Sequence, residues 1–301
     1  MPTTLFIDST PDIDRLWKRV HGAGDPPIAV NMGPVGEAAI PAVVAGYDTV
    51  INDATYFTEA TLAACPGLRH IVFLGTGAAS FVDLAAAARL GIKVSTIGGY
   101  GDTTVAEHAM GLVFAAARQV AAMHSDVKAG RWRPRQGMEL AGKTLGIVGL
   151  GGIGREMARL GRGVGFETIA WNRSPLAEPP VPLVALEELL DRAHVVSLHL
   201  ALNDATRGFL DRDKLARLRP GAILVNTARA GIVDEAALVE RLQAGQLGHY
   251  ATDVFSHEPP SPDDPLLKAD NVTLTAHAGY NTPEAAMTMY RRAIDLAARG
   301  P

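Results

Sequence analysis

Short apolar segments alternate with segments of helical periodicity along most of the chain. Short apolar runs bounded by turn residues are typical of buried strands, and apolar residues three or four positions apart are typical of helices packed on one side. In the first third of the sequence this pattern predicts strands at 5–8, 28–32, 47–52, 70–74 and 92–95, with helices at 12–20, 58–64 and 82–90. The alternation indicates a small doubly wound parallel sheet.

A second alternating series starts at residue 143. It predicts strands at 143–149, 167–171, 194–199, 222–226, 248–254 and 272–275, with helices at 152–164, 185–192, 212–218, 234–244 and 283–298. Because 301 residues can bury more than one core, we expect an α/β protein of two doubly wound domains. One comprises residues 1–97 with the last helix, 283–301, and the other comprises residues 98–282.

The segment between the two series has two parts. Glycines interrupt residues 97–103, which predicts a linker, and residues 104–125 then predict one long alanine-rich helix. Alanine favours the helix itself and allows close approach of a second helix. The helix is therefore either a face of a homodimer or a core helix that bridges the domains, and we expect it to mediate a homodimer.

Three glycines, Gly149, Gly151 and Gly154, follow the first strand of the second series at G-x-G-x-x-G spacing. The first allows a tight turn, the second lets a pyrophosphate approach the backbone, and the third brings helix against strand. A glycine-rich turn of this kind also occurs in other α/β domains. The strand before it, the helix after it and the strand at 167–171 favour a dinucleotide-binding domain.

The composition of the chain limits the kinds of molecule that we expect it to bind. A net charge of −4 provides no electrostatic footprint for nucleic acid or an anionic membrane. The single cysteine, Cys65, cannot form an internal disulfide, which fits a reducing compartment. The first residues lack the pattern of a signal peptide, and no apolar run reaches membrane-spanning length. We expect a cytoplasmic protein that binds neither nucleic acid nor membranes.

Polar residues follow three strands of the second series. Arg229 follows the fourth strand, Asp253 and Glu258 follow the fifth, and His277 follows the sixth. Each alone is typical of a surface arginine, a solvated carboxylate or a structural histidine. Ligands of open parallel sheets bind beyond the carboxyl ends of the strands. Together, beside a dinucleotide, these residues indicate one catalytic crevice.

In order and spacing, these motifs resemble those of the D-isomer-specific 2-hydroxyacid dehydrogenases. The residues that carry the resemblance are Gly149-Leu-Gly-Gly-Ile-Gly154, Asn226-Thr-Ala-Arg-Ala-Gly-Ile-Val-Asp234, Asp253–Glu258, His277-Ala-Gly279, Gly75-Thr-Gly77 and Thr104-Val-Ala-Glu-His108. The resemblance covers about residues 68–283. It implies a Rossmann dinucleotide-binding domain inserted into a flavodoxin-like substrate domain.

The resemblance implies hydride transfer between a nicotinamide dinucleotide and a 2-keto acid or D-2-hydroxy acid. His277 would protonate the ketone oxygen, or take the alcohol proton in the reverse direction. Glu258 would hydrogen-bond the imidazole and stabilise its cationic form. Arg229 would bind the substrate carboxylate through its planar fork and polarise the carbonyl. Backbone N–H groups of Gly75, Thr76 and Gly77 would complete the carboxylate site.

The same resemblance implies a set of cofactor-binding residues and no metal. They are Thr104, Gly149, Gly151, Gly152, Ile153, Gly154, Asn172, Arg173, Ser174, His199, Thr227, Ala228, Asp253, His277 and Gly279. Asp253 would hold the nicotinamide carboxamide rather than move protons.

The end of the strand 167–171 bears on the choice between NAD and NADP. An NAD enzyme usually has Asp or Glu there, whose carboxylate binds the ribose hydroxyls and repels a 2′-phosphate. Here Asn172 stands at that position, and Arg173 and Ser174 can bind a 2′-phosphate. We predict a preference for NADP, with NAD as the weaker alternative. The other interpretation is a solvent-facing Arg173 in a turn before Pro175, with NAD bound less tightly.

The substrate loop 75–80 contains no basic residue, so a phosphate on the substrate has no obvious partner. We favour small, uncharged 2-keto acids, glyoxylate and hydroxypyruvate first. Arg131 or Arg133, reaching the site across a dimer, would change this choice. Two positions depart from the family pattern, Ala276 and Ala201, where proline usually stands. They affect local loop geometry rather than the chemistry.

Two other functions stay open. One is formate or phosphite oxidation on the same fold, although Glu258 stands where formate enzymes have glutamine, and the substrate loop lacks the basic residue of phosphite enzymes. The other is a dinucleotide-sensing binding protein similar to the C-terminal-binding-protein corepressors, which keep the same arginine, glutamate and histidine. Turnover of a 2-keto acid separates an enzyme from such a sensor.

Overall fold

The computed structural model describes residues 3–300. These residues form two compact units, each built around one parallel sheet. The first unit ends at Gly101 and resumes at Asn281, and the second is Asp102–Tyr280. The sequence pattern places the domain boundaries a few residues away, at 97/98 and 282/283.

The first unit has a five-stranded sheet in the order β2-β1-β3-β4-β5, with all neighbouring strands parallel. This is the flavodoxin-like order. The strands are β1 Thr4–Ser9, β2 Ile28–Met32, β3 Thr49–Asn52, β4 His70–Phe73 and β5 Lys93–Thr96. The helices are α1 Pro11–Val20, α2 Ile40–Val44, α3 Glu59–Ala63, α4 Leu84–Arg89 and, at the end of the chain, α11 Pro283–Ala298.

Strands β1, β3 and β4 are buried along their whole length, as parallel strands covered on both faces should be. On one face, Trp17 of α1 contacts Phe6 of the sheet and Tyr290 of α11, with ring centroids 5.0 and 5.9 Å apart. The last helix of the chain therefore completes the core of the first unit.

The second unit has a six-stranded parallel sheet in the order β11-β10-β9-β8-β6-β7. Its strands are β6 Thr144–Val148, β7 Glu167–Trp171, β8 Val195–Leu198, β9 Ile223–Asn226, β10 His249–Thr252 and β11 Val272–Leu274. Its helices are α5 Asp102–Ala117, α6 Val120–Lys128, α7 Gly152–Val164, α8 Leu186–Arg192, α9 Arg212–Ala216 and α10 Glu235–Gln243. The strand order reverses at β6, which puts the switch point of the sheet beside the glycine loop.

The strand expected beyond β7 in a Rossmann sheet is reduced to one parallel bridge. Leu183 pairs with Ala170, whose N–H donates to the carbonyl of Pro182 and whose carbonyl accepts from Val184. Prolines in the segment 178–182 have no N–H to donate. The ladder therefore cannot extend in that direction.

The prediction of one long helix at 104–125 is wrong. Helices α5 and α6 meet at Gln119, whose φ of 49° is left-handed and incompatible with a continuous α-helix. The alanine-rich face of α5 packs in the core of the second unit against α7 and the sheet, with Ala106, Ala109 and Val113 fully buried. The alanine face of α5 therefore belongs to the core of the second unit.

The other predicted elements are present, with ends displaced by one or two residues. Helix α2, which has five residues, was not predicted. Among residues 3–300, no helix combines the length and apolar character that crossing a membrane requires.

Candidate active site

The glycine loop between β6 and α7 is shaped by contacts that exclude side chains. Gly149 has a φ of 97°, and a Cβ there would lie 2.7 Å from the carbonyl oxygen of His199. At Gly154 a Cβ would lie 2.1 Å from the carbonyl oxygen of Gly149. Gly151 instead faces open space, with no atom within 4 Å of a Cβ position. The loop therefore leaves room for a pyrophosphate at its second glycine.

The start of α7 contacts a carboxylate that sequence reasoning missed. A Cβ on Gly152 would overlap the carboxylate of Asp102, so any larger residue there would have to displace that side chain. An anion beside a helix N-terminus is electrostatically favourable. Thr104 lies in the same first turn of α5, and Ile153 packs against the core of the second unit. In the sequence, this contact was indicated by Gly152, a glycine at a motif position where any residue is allowed.

Strand β7 ends at the three residues predicted to select the cofactor. Asn172 accepts a hydrogen bond from Leu150 N–H through Oδ1 at 2.9 Å and donates from Nδ2 to the Ser174 carbonyl at 2.8 Å. Asn172 thus ties the glycine loop to the end of β7. Arg173 and Ser174 are exposed, and within residues 3–300 the Arg173 guanidinium has no hydrogen bond or ion pair.

Two further predicted cofactor residues lie at the ends of β8 and β9. His199 Nε2 is 2.9 Å from the Ser197 hydroxyl, and burial lowers the pKa of His199 to about 4, so the imidazole is neutral at physiological pH. The buried Thr227 hydroxyl has no hydrogen-bond partner among the described residues. Buried hydroxyls normally have one. This orphaned hydroxyl and the open face of Gly151 fit a dinucleotide along the carboxyl edge of the sheet.

Arg229 stands on a loop braced by Asn226. The Asn226 side chain accepts from Ala228 N–H and donates to the Arg229 carbonyl, both at 3.0 Å. One guanidinium nitrogen of Arg229 donates to the Ala228 carbonyl at 2.7 Å. The side chain is exposed, and its remaining N–H groups are available to an anion.

His277 and Glu258 form a direct pair, with Nδ1 and Oε2 2.6 Å apart. The second carboxylate oxygen, Oε1, accepts from Phe255 N–H at 2.9 Å, which orients the carboxylate. Because Nδ1 faces the carboxylate it carries a hydrogen, and Nε2 is the nitrogen left for a substrate. Each side chain is 37% exposed, so the pair is accessible.

A cavity of about 440 Å³ lies beside this pair. It is lined by Phe255, Glu258, Pro259, Pro260, Leu274, Thr275, Ala276 and His277. Most of these side chains are apolar, and an apolar surrounding strengthens the electrostatic interactions inside it. Among the described residues, no hydrogen bond joins Arg229 to the pair.

Asp253 lies beneath the turn that follows β11 and is 2% exposed. Its Oδ1 accepts from the Thr275 hydroxyl at 2.6 Å and from Ala278 N–H at 3.0 Å, and its Oδ2 accepts from Gly279 N–H at 2.8 Å. His108 of α5 brings Nε2 to 3.3 Å from Oδ1. Burial raises the pKa of Asp253, but these hydrogen bonds together hold it at about 2, so the carboxylate is ionised at neutral pH.

In the first unit the predicted substrate loop follows β4. Gly75 donates its N–H to the Phe73 carbonyl at 2.9 Å and accepts from Ile97 N–H at 2.8 Å, which fixes the start of the loop. The N–H groups of Thr76 and Gly77 have no acceptor among residues 3–300. These two N–H groups, rather than all three, are therefore the open donors of the loop.

A second loop at this edge follows β3, the parallel neighbour of β4. The buried Asp8 accepts from the N–H groups of Asp53, Ala54 and Thr55 and from the Thr55 hydroxyl, at 2.7–3.0 Å. Burial and the charge of Asp8 raise the pKa of Asp53 to about 6. At neutral pH two carboxylates therefore stand at the carboxyl end of β3, and sequence reasoning singled out neither.

Comparison with known proteins identifies relatives of this chain. Residues 110–279 match the model of the D-isomer specific 2-hydroxyacid dehydrogenase NAD-binding domain. The hydroxypyruvate reductase of Thermotoga maritima is 38% identical over 241 residues, 78% of each chain. The D-3-phosphoglycerate dehydrogenase of Archaeoglobus fulgidus is 36% identical over 80% of this chain, which spans only 46% of that protein.

A solved structure extends the match over almost the whole chain. The crystal structure of a Thermus thermophilus protein superposes with a TM-score of 0.84 at 31% identity, covering 97% of this chain and 94% of that one. Its extent includes both compact units. On these matches, the chain belongs to the D-isomer specific 2-hydroxyacid dehydrogenase family of nicotinamide-dinucleotide-dependent oxidoreductases.

Proposed function

We propose that this chain is an NADPH-preferring reductase that converts a small, uncharged 2-keto acid into the D-2-hydroxy acid, with glyoxylate and hydroxypyruvate as the first candidates. The observation that carries the proposal is the 2.6 Å contact between His277 and Glu258. An imidazolium held by a carboxylate at Nδ1 can protonate an oxygen placed at Nε2. The cofactor, when bound, supplies the hydride.

The proton is handled by this pair. His277 donates its Nε2 proton to the ketone oxygen during reduction and takes the alcohol proton during oxidation. Glu258 stabilises the cationic imidazole through its hydrogen bond to Nδ1. The hydrogen bond from Phe255 N–H holds the Glu258 carboxylate in position against the His277 ring.

In the second unit, Arg229 binds the substrate carboxylate. Arg229 offers a planar fork that matches a carboxylate with two hydrogen bonds. In the first unit, the open N–H groups of Thr76 and Gly77 are donors that fit a carboxylate. We propose that the first compact unit is the substrate domain and the second is the dinucleotide-binding domain.

The charges of the first unit support a substrate that carries no phosphate. Loop 75–80 has no basic residue. Above pH 6 Asp53 is mainly ionised and adds negative charge at the end of β3. A phosphate dianion would meet repulsion there. The 38% identity to a hydroxypyruvate reductase also supports a substrate without a phosphate. The similarity to a D-3-phosphoglycerate dehydrogenase favours the opposite choice.

Preference for NADPH is supported by the end of β7. No carboxylate stands at the ribose position, because Asn172 replaces it and is engaged with Leu150. The Arg173 guanidinium has no protein partner within residues 3–300 and can pair with a 2′-phosphate. Within residues 3–300, Asp253 Oδ2 accepts one hydrogen bond, from Gly279 N–H, so it can also accept a nicotinamide carboxamide N–H.

A cytoplasmic homodimer completes the proposal. Exposed apolar side chains cluster in sequence from α5 to the segment after α6, with Phe114, Val120, Val127 and Trp132 exposed by 43, 51, 55 and 87%. A twofold interface would remove them from water. Cys65 is buried and burial raises the pKa of its thiol, which is compatible with a reducing compartment. A monomer at micromolar concentration in sedimentation velocity would contradict the dimer.

A panel of 2-keto acids assayed with NADPH and NADH tests the function. Turnover of glyoxylate or hydroxypyruvate, lost in His277→Gln with cofactor binding retained, is the expected result. Preference for a phosphorylated keto acid would overturn the substrate class. Cofactor binding without turnover of any keto acid would instead indicate a dinucleotide sensor.

A further inference from the structure

A hydrogen-bonded chain of three side chains supports the turn that carries His277. The Thr275 hydroxyl donates to Asp253 Oδ1 at 2.6 Å, and His108 Nε2 lies 3.0 Å from the Thr275 oxygen and 3.3 Å from Oδ1. A hydroxyl has one hydrogen. Since that hydrogen goes to Asp253, the Thr275 oxygen accepts from His108, and Nε2 of His108 carries a hydrogen.

Asp253 in turn holds the backbone of His277 and of the two residues after it. Its carbonyl accepts His277 N–H at 2.9 Å, and its carboxylate accepts the N–H groups of Ala278 and Gly279. His277 has a φ of 50°, a left-handed conformation that is uncommon outside glycine and unfavourable for a histidine. Three hydrogen bonds to one residue therefore maintain a strained backbone at the proton donor.

Asp253 and His108 pack closely against Gly279. A Cβ on Gly279 would lie 3.0 Å from Asp253 Oδ2 and 3.4 Å from Cδ2 of the His108 ring. The ring, the carboxylate and the turn thus touch one another, and a shift of the carboxylate would move the turn. The side chain of His108 is 25% exposed and that of Asp253 is 3% exposed, so the chain of contacts reaches from the surface of α5 to the buried carboxylate.

We propose that His108 and Thr275 are positioning residues for proton transfer: they lock the Asp253 carboxylate, which holds the left-handed turn and thereby aims Nε2 of His277 at the substrate. The proposal rests on the proposed role of His277 as the proton donor. His108 and Thr275 touch no substrate in this scheme. Their effect passes through Asp253.

Matched pairs of variants separate positioning from folding. Thr275→Val removes the hydroxyl at constant shape, and Thr275→Ser keeps it. His108→Leu removes the donor, and His108→Gln places an N–H near the position of Nε2. We expect Thr275→Val and His108→Leu to lower kcat about ten- to a hundredfold, because a small misplacement of a catalytic group slows the reaction by about that factor. Thr275→Ser and His108→Gln should keep most of the wild-type kcat.

Three further readouts identify the mechanism. The dissociation constant of NADPH, followed by its fluorescence, should change less than kcat. The solvent deuterium isotope effect on kcat should increase in Thr275→Val and His108→Leu, because proton transfer from a misaligned His277 becomes slower. The double variant should lose little more than either single variant, since both act through Asp253.

The outcome distinguishes this inference from the function on which it rests. Wild-type turnover with an inactive His277→Gln and a fully active Thr275→Val would overturn the positioning role and leave the function intact. A loss of activity that follows the thermal midpoint, with an unchanged isotope effect, would also overturn it. Normal turnover by His277→Gln would remove His277 as proton donor, and the positioning role with it.

Discussion

Replacing Arg173 with alanine tests the cofactor assignment most directly. The side chain is exposed and has no hydrogen bond or ion pair within residues 3–300, so the substitution breaks no polar interaction there. A charge-assisted hydrogen bond to a 2′-phosphate contributes about 1.5–3 kcal/mol. Each 1.4 kcal/mol corresponds to about a tenfold change in an equilibrium constant. The wild type should therefore prefer NADPH roughly ten- to a hundredfold in kcat/KM, nearer the lower figure because solvent screens an exposed pair.

Steady-state kinetics with both reduced cofactors measures this effect. Arg173→Ala should remove most of the preference through the KM for NADPH and leave the thermal midpoint unchanged. Arg15→Ala, which removes an exposed arginine of α1, is the matched control and should keep the preference. Asn172→Asp keeps an acceptor for Leu150 N–H, supplies the repelling carboxylate and should shift the preference towards NADH. Equal use of both cofactors by the wild type, or an unchanged ratio in Arg173→Ala, would refute the reasoning.

The remaining predictions concern substrate binding, cofactor binding and stability. Arg229→Lys should lower kcat and raise KM for the keto acid together, because lysine cannot form the two parallel hydrogen bonds of the guanidinium; a change in neither would exclude Arg229 from the substrate site. Gly151→Ala should weaken cofactor binding with little change in thermal midpoint, whereas Gly154→Ala should lower the midpoint as well, since its Cβ would lie 2.1 Å from a carbonyl oxygen; equal midpoints for the two variants in calorimetry would contradict the packing argument. Asp53 has a pKa raised from 3.8 to about 6, so its protonated form is favoured by folding, and that contribution is complete below pH 3.8 and is lost as the pH rises through 6. Asp53→Asn should therefore stabilise the protein above pH 6 by at most about 3 kcal/mol and have a smaller effect near pH 4.5, and urea unfolding at both pH values would detect the opposite trend.

Local pattern was sufficient for the fold class and for the loops that carry the site. Parallel strands covered on both faces need continuous apolar residues, so both sheets are visible as short apolar runs. The glycine loop is visible because Gly149 has a positive φ and Gly154 packs against the carbonyl of Gly149, five positions earlier. Polar residues after strands identify the carboxyl edge of a sheet, which is how Arg229, Glu258 and His277 were selected.

The tertiary structure decided which partners those residues have. Asn172 was predicted as a cofactor residue, but its amide is engaged with Leu150 of the glycine loop. His108 reaches Thr275 across 167 positions of sequence, and no local pattern indicates that contact. The break at Gln119 lies inside a run of good helix formers, so only packing could reveal it. Such contacts join residues far apart in the chain, and their geometry depends on how whole helices and strands pack, which residue periodicity does not encode.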